Sequence, residues 1–227
     1  FEIEDFCREN NLFLLTDDAH AYGSNRYDST DEKIRYAGSF GDAGVFSFYP
    51  SKITTTAEGG MITTNNYDLA EKCRVIRNHG VRRNDKHPSG LDYGYTCEVP
   101  STNYRMSEFH AVLGISQNKH LKEFLIRRNE IADLYNDRLK NVKWLRLPYQ
   151  SDFTFQSWWH YVVKIIDGRD RSDTLLNLLY NFNVPTANAY QPLCHQQKIY
   201  DKFLSKKGFK NSNSFITKIF SLPMYVE

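Results

Sequence analysis

No apolar run in these 227 residues approaches the roughly 20 that a membrane-spanning helix requires, so no membrane segment is predicted. Cysteine is scarce. The four present, Cys7, Cys73, Cys97 and Cys194, are scattered and form no CxxC pair. That spacing offers neither a structural metal site nor a disulfide framework, and it reads as a chain of the reducing cytoplasm. An excess of one charge is missing too. Lysine and arginine total 29 against 27 acidic residues, a net charge of +2, too small to argue for nucleic acid or an anionic membrane as partner. Internal repeats, low-complexity tracts and a signal-peptide pattern are all absent. There is no initiator Met, the chain opens inside a helical pattern, and it stops just after an apolar segment containing Pro223. Both ends read as those of a fragment.

Hydrophobic residues make up 41% of the chain, enough for a sizeable core. At roughly 100–200 residues per domain, the length allows one large or two small domains. The spacing predicts the end of a helix over Phe1–Asn10. Short apolar runs at Leu12–Leu15, Val45–Phe48 and Gly60–Thr63 read as buried strands. Between Asn66 and His79 the spacing is helical, with Gly80 as its stop. Strands alternating with helices argue for an α/β layer with a largely parallel sheet. A loop over Arg83–Pro100 precedes a long helical pattern from Met106 to about Leu139. A strand over Trp158–Ile166, a helix over Ser172–Phe182 and a loop over Pro185–Gln191 suggest a small α+β domain. The predicted organisation is a larger domain over 1–120, a connecting helix over 121–140 and a small C-terminal domain over 141–227. Trp158, Trp159 and Tyr180 read as core, and Arg82-Arg83 as a solvated loop that could alternatively meet a diphosphate.

In open α/β sheets, ligands bind beyond the carboxyl ends of the strands. Three polar clusters fall at such ends: Thr16 to His20, Ser47 to Lys52, and Glu58-Gly59-Gly60. A carboxylate, a hydroxyl and a lysine arriving together suit an anionic, electron-withdrawing cofactor. Pyridoxal 5′-phosphate (PLP) needs these groups. A lysine must form the Schiff base, and desolvation can lower its pKa enough to free the amine. A carboxylate must face the pyridine nitrogen, and hydroxyl or backbone donors must hold the phosphate.

These clusters resemble motifs of the DegT/StrS-type nucleotide-sugar aminotransferases, which pair PLP with a keto-sugar. Thr16-Asp17-Asp18-Ala19-His20-Ala21-Tyr22-Gly23 is similar to their E-D-A-A-Q/H-A-x-G strand end. Residues 38–48, GSFGDAGVFSF, are close to their GSFGD-GVFSF stretch. Glu58-Gly59-Gly60-Met61, Arg77-Asn78-His79-Gly80 and Asn103-Tyr104-Arg105-Met106-Ser107-Glu108 match EGGM, RNHG and NYRMSE. Tyr190 to His195 and Leu222-Pro223-Met224 resemble weaker motifs of the family's small domain.

The resemblance implies an α/β chain of the fold type I, aspartate-aminotransferase-like class: part of a large PLP domain and a small C-terminal α+β domain. It implies Lys52 as the PLP lysine, Asp17 as the ring-nitrogen partner, His20 near the phenolic oxygen and Ser47 as a phosphate ligand. Asn103 would reach the phosphate from the partner subunit of a homodimer, though it could also cap the long helix. Arg77, His79, His160 and His195 would bind substrate. Asp18 falls at a small-residue position and takes no such role. The implied reaction moves an amino group from L-glutamate to a keto group of a nucleotide-linked deoxysugar, with no metal. A related branch that dehydrates sugars replaces the lysine with histidine, and Lys52 argues against it. Amination of a cyclitol or another ketone stays open, as does a PLP-binding regulator or an inactive truncated homologue. Thr16 departs from the family's Glu, and 25–36 is longer and more polar than the usual turn there.

Overall fold

In a computed structural model of the chain, residues 2–29, 32–83, 95–187, 190–202 and 208–226 are described. In chain order the elements are α1 (Glu2–Glu9), β1 (Leu15–Asp17), β2 (Asn25–Asp28), β3 (Lys33–Tyr36), β4 (Ala43–Ser47), β5 (Gly60–Thr63), α2 (Tyr67–Arg77), β6 (Val81–Arg83), β7 (Tyr95–Cys97), α3 (Glu108–Lys119), α4 (Leu121–Leu139), β8 (Leu145–Arg146), β9 (Thr154–Phe155), β10 (Tyr161–Ile165), α5 (Arg171–Phe182), α6 (Lys210–Ile216) and β11 (Ile219–Leu222).

The chain divides into two compact units. The first comprises Phe1–Lys122 and Phe153–Ser157, the second Glu123–Asp152 and Trp158–Glu227. This departs from the predicted boundaries in two ways. Most of the expected connecting helix belongs to the second unit, and five residues from within 141–227 belong to the first. The reason is backbone pairing: β9 runs antiparallel to β2, with Asn25 opposite Phe155 and Arg26 opposite Thr154. Pairing across some 130 residues leaves no local trace in the sequence.

In the first unit the sheet order is β1-β4-β5. β1 and β4 are parallel, and β4 and β5 antiparallel. The expectation of a largely parallel sheet is therefore corrected, since β1–β4 is the one parallel pair among the described strands. Parallel strands need a crossover, usually a helix. The loop from Phe48 to Gly59 has none, and it folds back on itself through Phe48 N–H to Gly59 O and Thr56 N–H to Phe48 O. Gly44 in β4 leaves no room for a side chain. A Cβ there would lie 2.6 Å from the Gly38 Cα and 2.7 Å from Asp18 Oδ2.

The run predicted at Leu12–Leu15 is strand only from Leu15, where its register with Ala43 begins. Apolar character marked the approach to the strand rather than the paired residues. α2 starts on Asn66, whose side chain accepts from Leu69 N–H, and ends through left-handed His79 and Gly80. The predicted loop at Arg83–Pro100 carries β7, which pairs with β6; residues 84–94 lie outside the described structure. The long helix predicted from Met106 is two helices that meet at His120, with Ser107 rather than Asn103 as the N-cap of α3. No Gly or Pro marks that break.

The second unit has the antiparallel order β11-β10-β8. β10 alternates strictly, burying Tyr161, Val163 and Ile165 on one face. With Trp158, Ala132, Phe220 and Met224 they form one core cluster. The strand predicted from Trp158 begins at Tyr161, because Trp158 turns the chain at a φ of +49°. Trp158 is buried as expected, Trp159 only partly, and Tyr180 is 77% exposed, which corrects its reading as core. Tyr180 projects from the outer face of α5, a helix without a buried residue. Of the predicted loop at Pro185–Gln191, residues 188–189 lie outside the described structure.

Candidate active site

Because β1 and β4 are adjacent and parallel, their carboxyl ends lie on one edge of the sheet. Asp17 is the last residue of β1 and Ser47 the last of β4. The loop after Ser47 brings round Lys52, whose N–H donates to Tyr49 O at 2.9 Å. Burial pushes the Lys52 ammonium below the usual lysine value, and the charge of Asp17 pulls it partly back. That opposition places the amine and the carboxylate in one electrostatic environment. Ser47 Oγ accepts from Tyr49 N–H at 3.4 Å.

The period of a strand separates the two adjacent carboxylates. Asp17 is exposed, and its Oδ1 accepts from Ala19 N–H at 3.1 Å, which orients the carboxylate. Asp18 points the other way, is 8% exposed, and accepts from the Thr16 hydroxyl at 2.5 Å. The two residues that depart from the family pattern, Thr16 and Asp18, therefore bond each other on the buried face and leave Asp17 on the open one.

His20 follows, exposed on an otherwise half-buried loop. Ala21 N–H donates to Asp18 O at 2.9 Å and Ser24 N–H to Ala21 O at 2.8 Å, while Gly23 adopts a φ of +85°. Tyr22 anchors the loop. Its ring sits edge-on to Phe46 and Phe48, at 5.4 and 5.5 Å between centroids, and its hydroxyl donates to Asn118 Oδ1 of α3 at 2.9 Å.

Arg77, His79 and Asn103 form a second group. Tyr104 N–H donates to Arg77 O, His79 N–H donates to Thr102 O, and Asn78 bridges Asn103. The RNHG and NYR segments are thus zipped together backbone to backbone. Asn103 Oδ1 accepts from Arg105 N–H at 3.0 Å, so its side chain caps a turn there. All three side chains are exposed.

The remaining two predicted residues lie in the second unit. His160 stands edge-on to Trp159, with 3.8 Å between ring centroids. His195 stacks on Phe209 at 4.2 Å, and its Nε2 lies 2.8 Å from Asn213 Oδ1. Arg82, read as loop, lies on β6 and pairs with Glu98 at 2.6 Å. Sequence reasoning missed Tyr22, Ser24 and Ser157, since nothing local marks their contacts. Among the described residues no helix is long and apolar enough to cross a membrane, and no group of His, Cys, Asp and Glu is placed to hold a metal.

The family model described as "DegT/DnrJ/EryC1/StrS aminotransferase family" matches residues 1–227. The chain belongs to this family. It is 33% identical over 226 residues to the spore coat polysaccharide biosynthesis protein SpsC of Bacillus subtilis, covering 96% of this chain and 56% of SpsC. It is 27% identical to the GDP-perosamine synthase of Vibrio cholerae, over 98% of this chain and 57% of that protein. Among solved structures, Helicobacter pylori PseC, an aminotransferase involved in pseudaminic acid biosynthesis, superposes with a TM-score of 0.84 at 25% identity, over 99% of this chain and 57% of PseC. The aminotransferase TlmJ of Streptoalloteichus hindustanus gives 0.80 at 28%, over 98% and 56%. The chain thus spans a little over half the length of the relatives it matches, and its mixed α/β structure is consistent with a partial fold type I transferase.

Proposed function

We propose that this chain carries the lysine-bearing part of a PLP-dependent aminotransferase that moves an amino group from L-glutamate to a keto group of a nucleotide-linked deoxysugar. The observation that carries this reading is the shared strand edge: Asp17 and Ser47 at neighbouring carboxyl ends, and Lys52 held below its usual pKa by burial with Asp17 acting on it. The donor set fits PLP. It offers one amine that is eased toward its neutral form, one carboxylate oriented by a backbone N–H, and one hydroxyl at the next strand end.

When bound, PLP supplies a carbonyl that condenses with amines and a ring that draws electrons from the bond being broken. Lys52 would hold the cofactor, and its free amine would serve as the base and acid that moves the donor's Cα proton. Asp17 keeps the ring nitrogen protonated. By the family resemblance, His20 would face the cofactor's phenolic oxygen, Ser47 would hold its phosphate, and Asn103 would hold the phosphate of a second copy in a homodimer. Arg77 and His79, exposed and held by the zipped turns, contact substrate. Sugar contacts for His160 and His195 rest on the family resemblance. The four free thiols are in keeping with a cytoplasmic setting.

The test is borohydride reduction of the full-length protein incubated with PLP, followed by peptide mapping. The label is expected on Lys52. Lys52→Ala is expected to lose both the label and the near-visible absorbance of bound PLP, with transamination down at least about 10³-fold. A label on another lysine overturns the reading.

A further inference from the structure

We propose that Ser157 is a positioning residue for His20, acting from 137 residues away to set where that imidazole stands against the cofactor. The proposal rests on the reading of His20 as cofactor-facing. Ser157 is 1% exposed, the least accessible polar residue among the described residues of the first unit. Its contacts form one directed chain. Ser157 N–H donates to Ser24 Oγ at 2.9 Å, the Ser24 hydroxyl donates to Ser157 Oγ at 3.0 Å, and the Ser157 hydroxyl donates to the His20 carbonyl at 3.0 Å. Each hydroxyl accepts one hydrogen bond and donates the next, an arrangement in which the bonds polarise one another and fix every proton. Both ends of the loop 20–24 are gripped by this one residue.

The grip matters because of what else holds the loop. Asp17 is placed by the sheet and Tyr22 by Phe46, Phe48 and Asn118. His20 lies between these anchors, exposed on a half-buried turn, with Gly23 supplying the left-handed step. No buried apolar side chain of residues 19–21 fixes its height, because none of the three is buried. The hydrogen bond from Ser157 supplies a restraint on the His20 backbone. Ser157 is itself pinned by strand pairing, since β9 just before it pairs with β2 just after Ser24, and Tyr27 N–H donates to Phe153 O at 2.9 Å. A misplacement of a cofactor-facing group by about 1 Å is enough to impair a site, so a restraint of this kind acts on function before it acts on folding.

The test uses the full-length protein loaded with PLP. The readouts are the PLP dissociation constant, the amplitude of near-visible circular dichroism of bound PLP, which reports ring orientation, and the melting temperature. Ser157→Ala is expected to weaken PLP binding roughly five- to tenfold, the loss of one buried hydrogen bond, and to diminish the dichroic band. Ser24→Ala keeps the bond to the His20 carbonyl and is expected to do the same to a smaller degree. In a His20→Ala background, Ser157→Ala should still lower the melting temperature but leave PLP affinity and dichroism where His20→Ala put them. An equal loss of affinity in both backgrounds would show that Ser157 acts by another route, and overturns the proposal. If Ser157→Ala does not fold, Ser24→Ala in the two backgrounds decides by the same comparison. If His20→Ala alone leaves affinity and dichroism unchanged, the cofactor-facing reading of His20 fails, and the positioning proposal with it. A His20→Ala effect without a Ser157→Ala effect sinks the positioning proposal alone.

Discussion

Both units bury some aromatic residues and expose others, but they differ in how far the buried ones close into a core. In the second, Trp158, Tyr161 and Phe220 are buried together with Val163, Ile165, Ala132 and Met224 in one cluster. Their polar atoms fare unequally there: the Trp158 indole N–H is buried without a hydrogen-bond partner, whereas the Tyr161 hydroxyl has one. Tyr161 donates to Asn136 Oδ1 at 2.6 Å, and burial with the neighbouring Tyr135 pushes its phenol up to about 12. In the first unit Phe46 is buried, but Phe13, Tyr104 and Phe109 are exposed, Phe109 to 89%. Its polar groups are held instead by turns, strand ends and hydrogen bonds such as those at Asp17, Tyr22 and Ser157. A closed core fixes shape by packing, whereas a site at the ends of strands must leave its groups accessible and relies on directional bonds to aim them.

That contrast can be broken most forcefully in the second unit. Phe220→Ala is expected to destabilise by about 3–5 kcal/mol in urea unfolding, the cost of a large buried cavity. Phe109→Ala should stay within about 0.5 kcal/mol. Equal costs for the two would erase the distinction between the units.

A middle-sized effect is expected at the clamp between α1 and β3. Glu4 accepts twice from Arg35, at 3.0 and 2.8 Å, and once from Gly41 N–H at 3.0 Å. Burial of Glu4 would raise its pKa, but the bonds from Arg35 and Gly41 outweigh it and hold the carboxyl below the usual range. A carboxylate with a depressed folded-state pKa contributes stability that is present above its unfolded value and lost as the pH falls through the folded one. Arg35→Met should therefore cost about 1 kcal/mol at pH 7. The urea midpoints of the two proteins should converge as the pH drops below the ordinary carboxylate range. A gap independent of pH would assign the loss to packing of Arg35 over Phe40.

The smallest effect belongs to Lys52, and its sign is the reverse of the usual stabilising charge. Its amine is depressed in the folded protein by burial. The folded state therefore disfavours the ammonium, and this penalty is full below the folded pKa and vanishes above the unfolded one, about 10.4. Lys52→Met should leave the cofactor-free protein slightly more stable than the parent at neutral pH, with the difference closing as the pH rises toward 10. A less stable Lys52→Met at pH 7 would mean that attraction to Asp17 outweighs burial.

Much of this was legible along the chain. The run Gly60–Thr63 is β5 with the expected bounds, though exposed rather than buried, and the helical spacing from Asn66 is α2. Asp17, Ser47 and Lys52 stood out as candidates because strand ends, polar residue types and family motifs coincide there, and the structure places Asp17 and Ser47 at neighbouring strand ends. Elsewhere local signals ran out. The break at His120 has no Gly or Pro, Tyr180 carries an apolar ring on an outward face, and the reversal of β5 depends on how one loop bonds to itself.

The sequence by itself determined which chemical groups this protein has and the order in which they follow short strands, because strand-forming runs and motif spacing are local properties. The motif already favoured Asp17 over Asp18; the tertiary structure added the burial of Asp18 and the exposure of Asp17, which depend on which face of β1 is covered. Only the tertiary structure decided that Ser157 holds the loop of His20, and that residues 153–157 belong with the first unit. Those outcomes depend on pairing across 130 residues, where the energy lies in the contact and neither partner alone carries a mark of it.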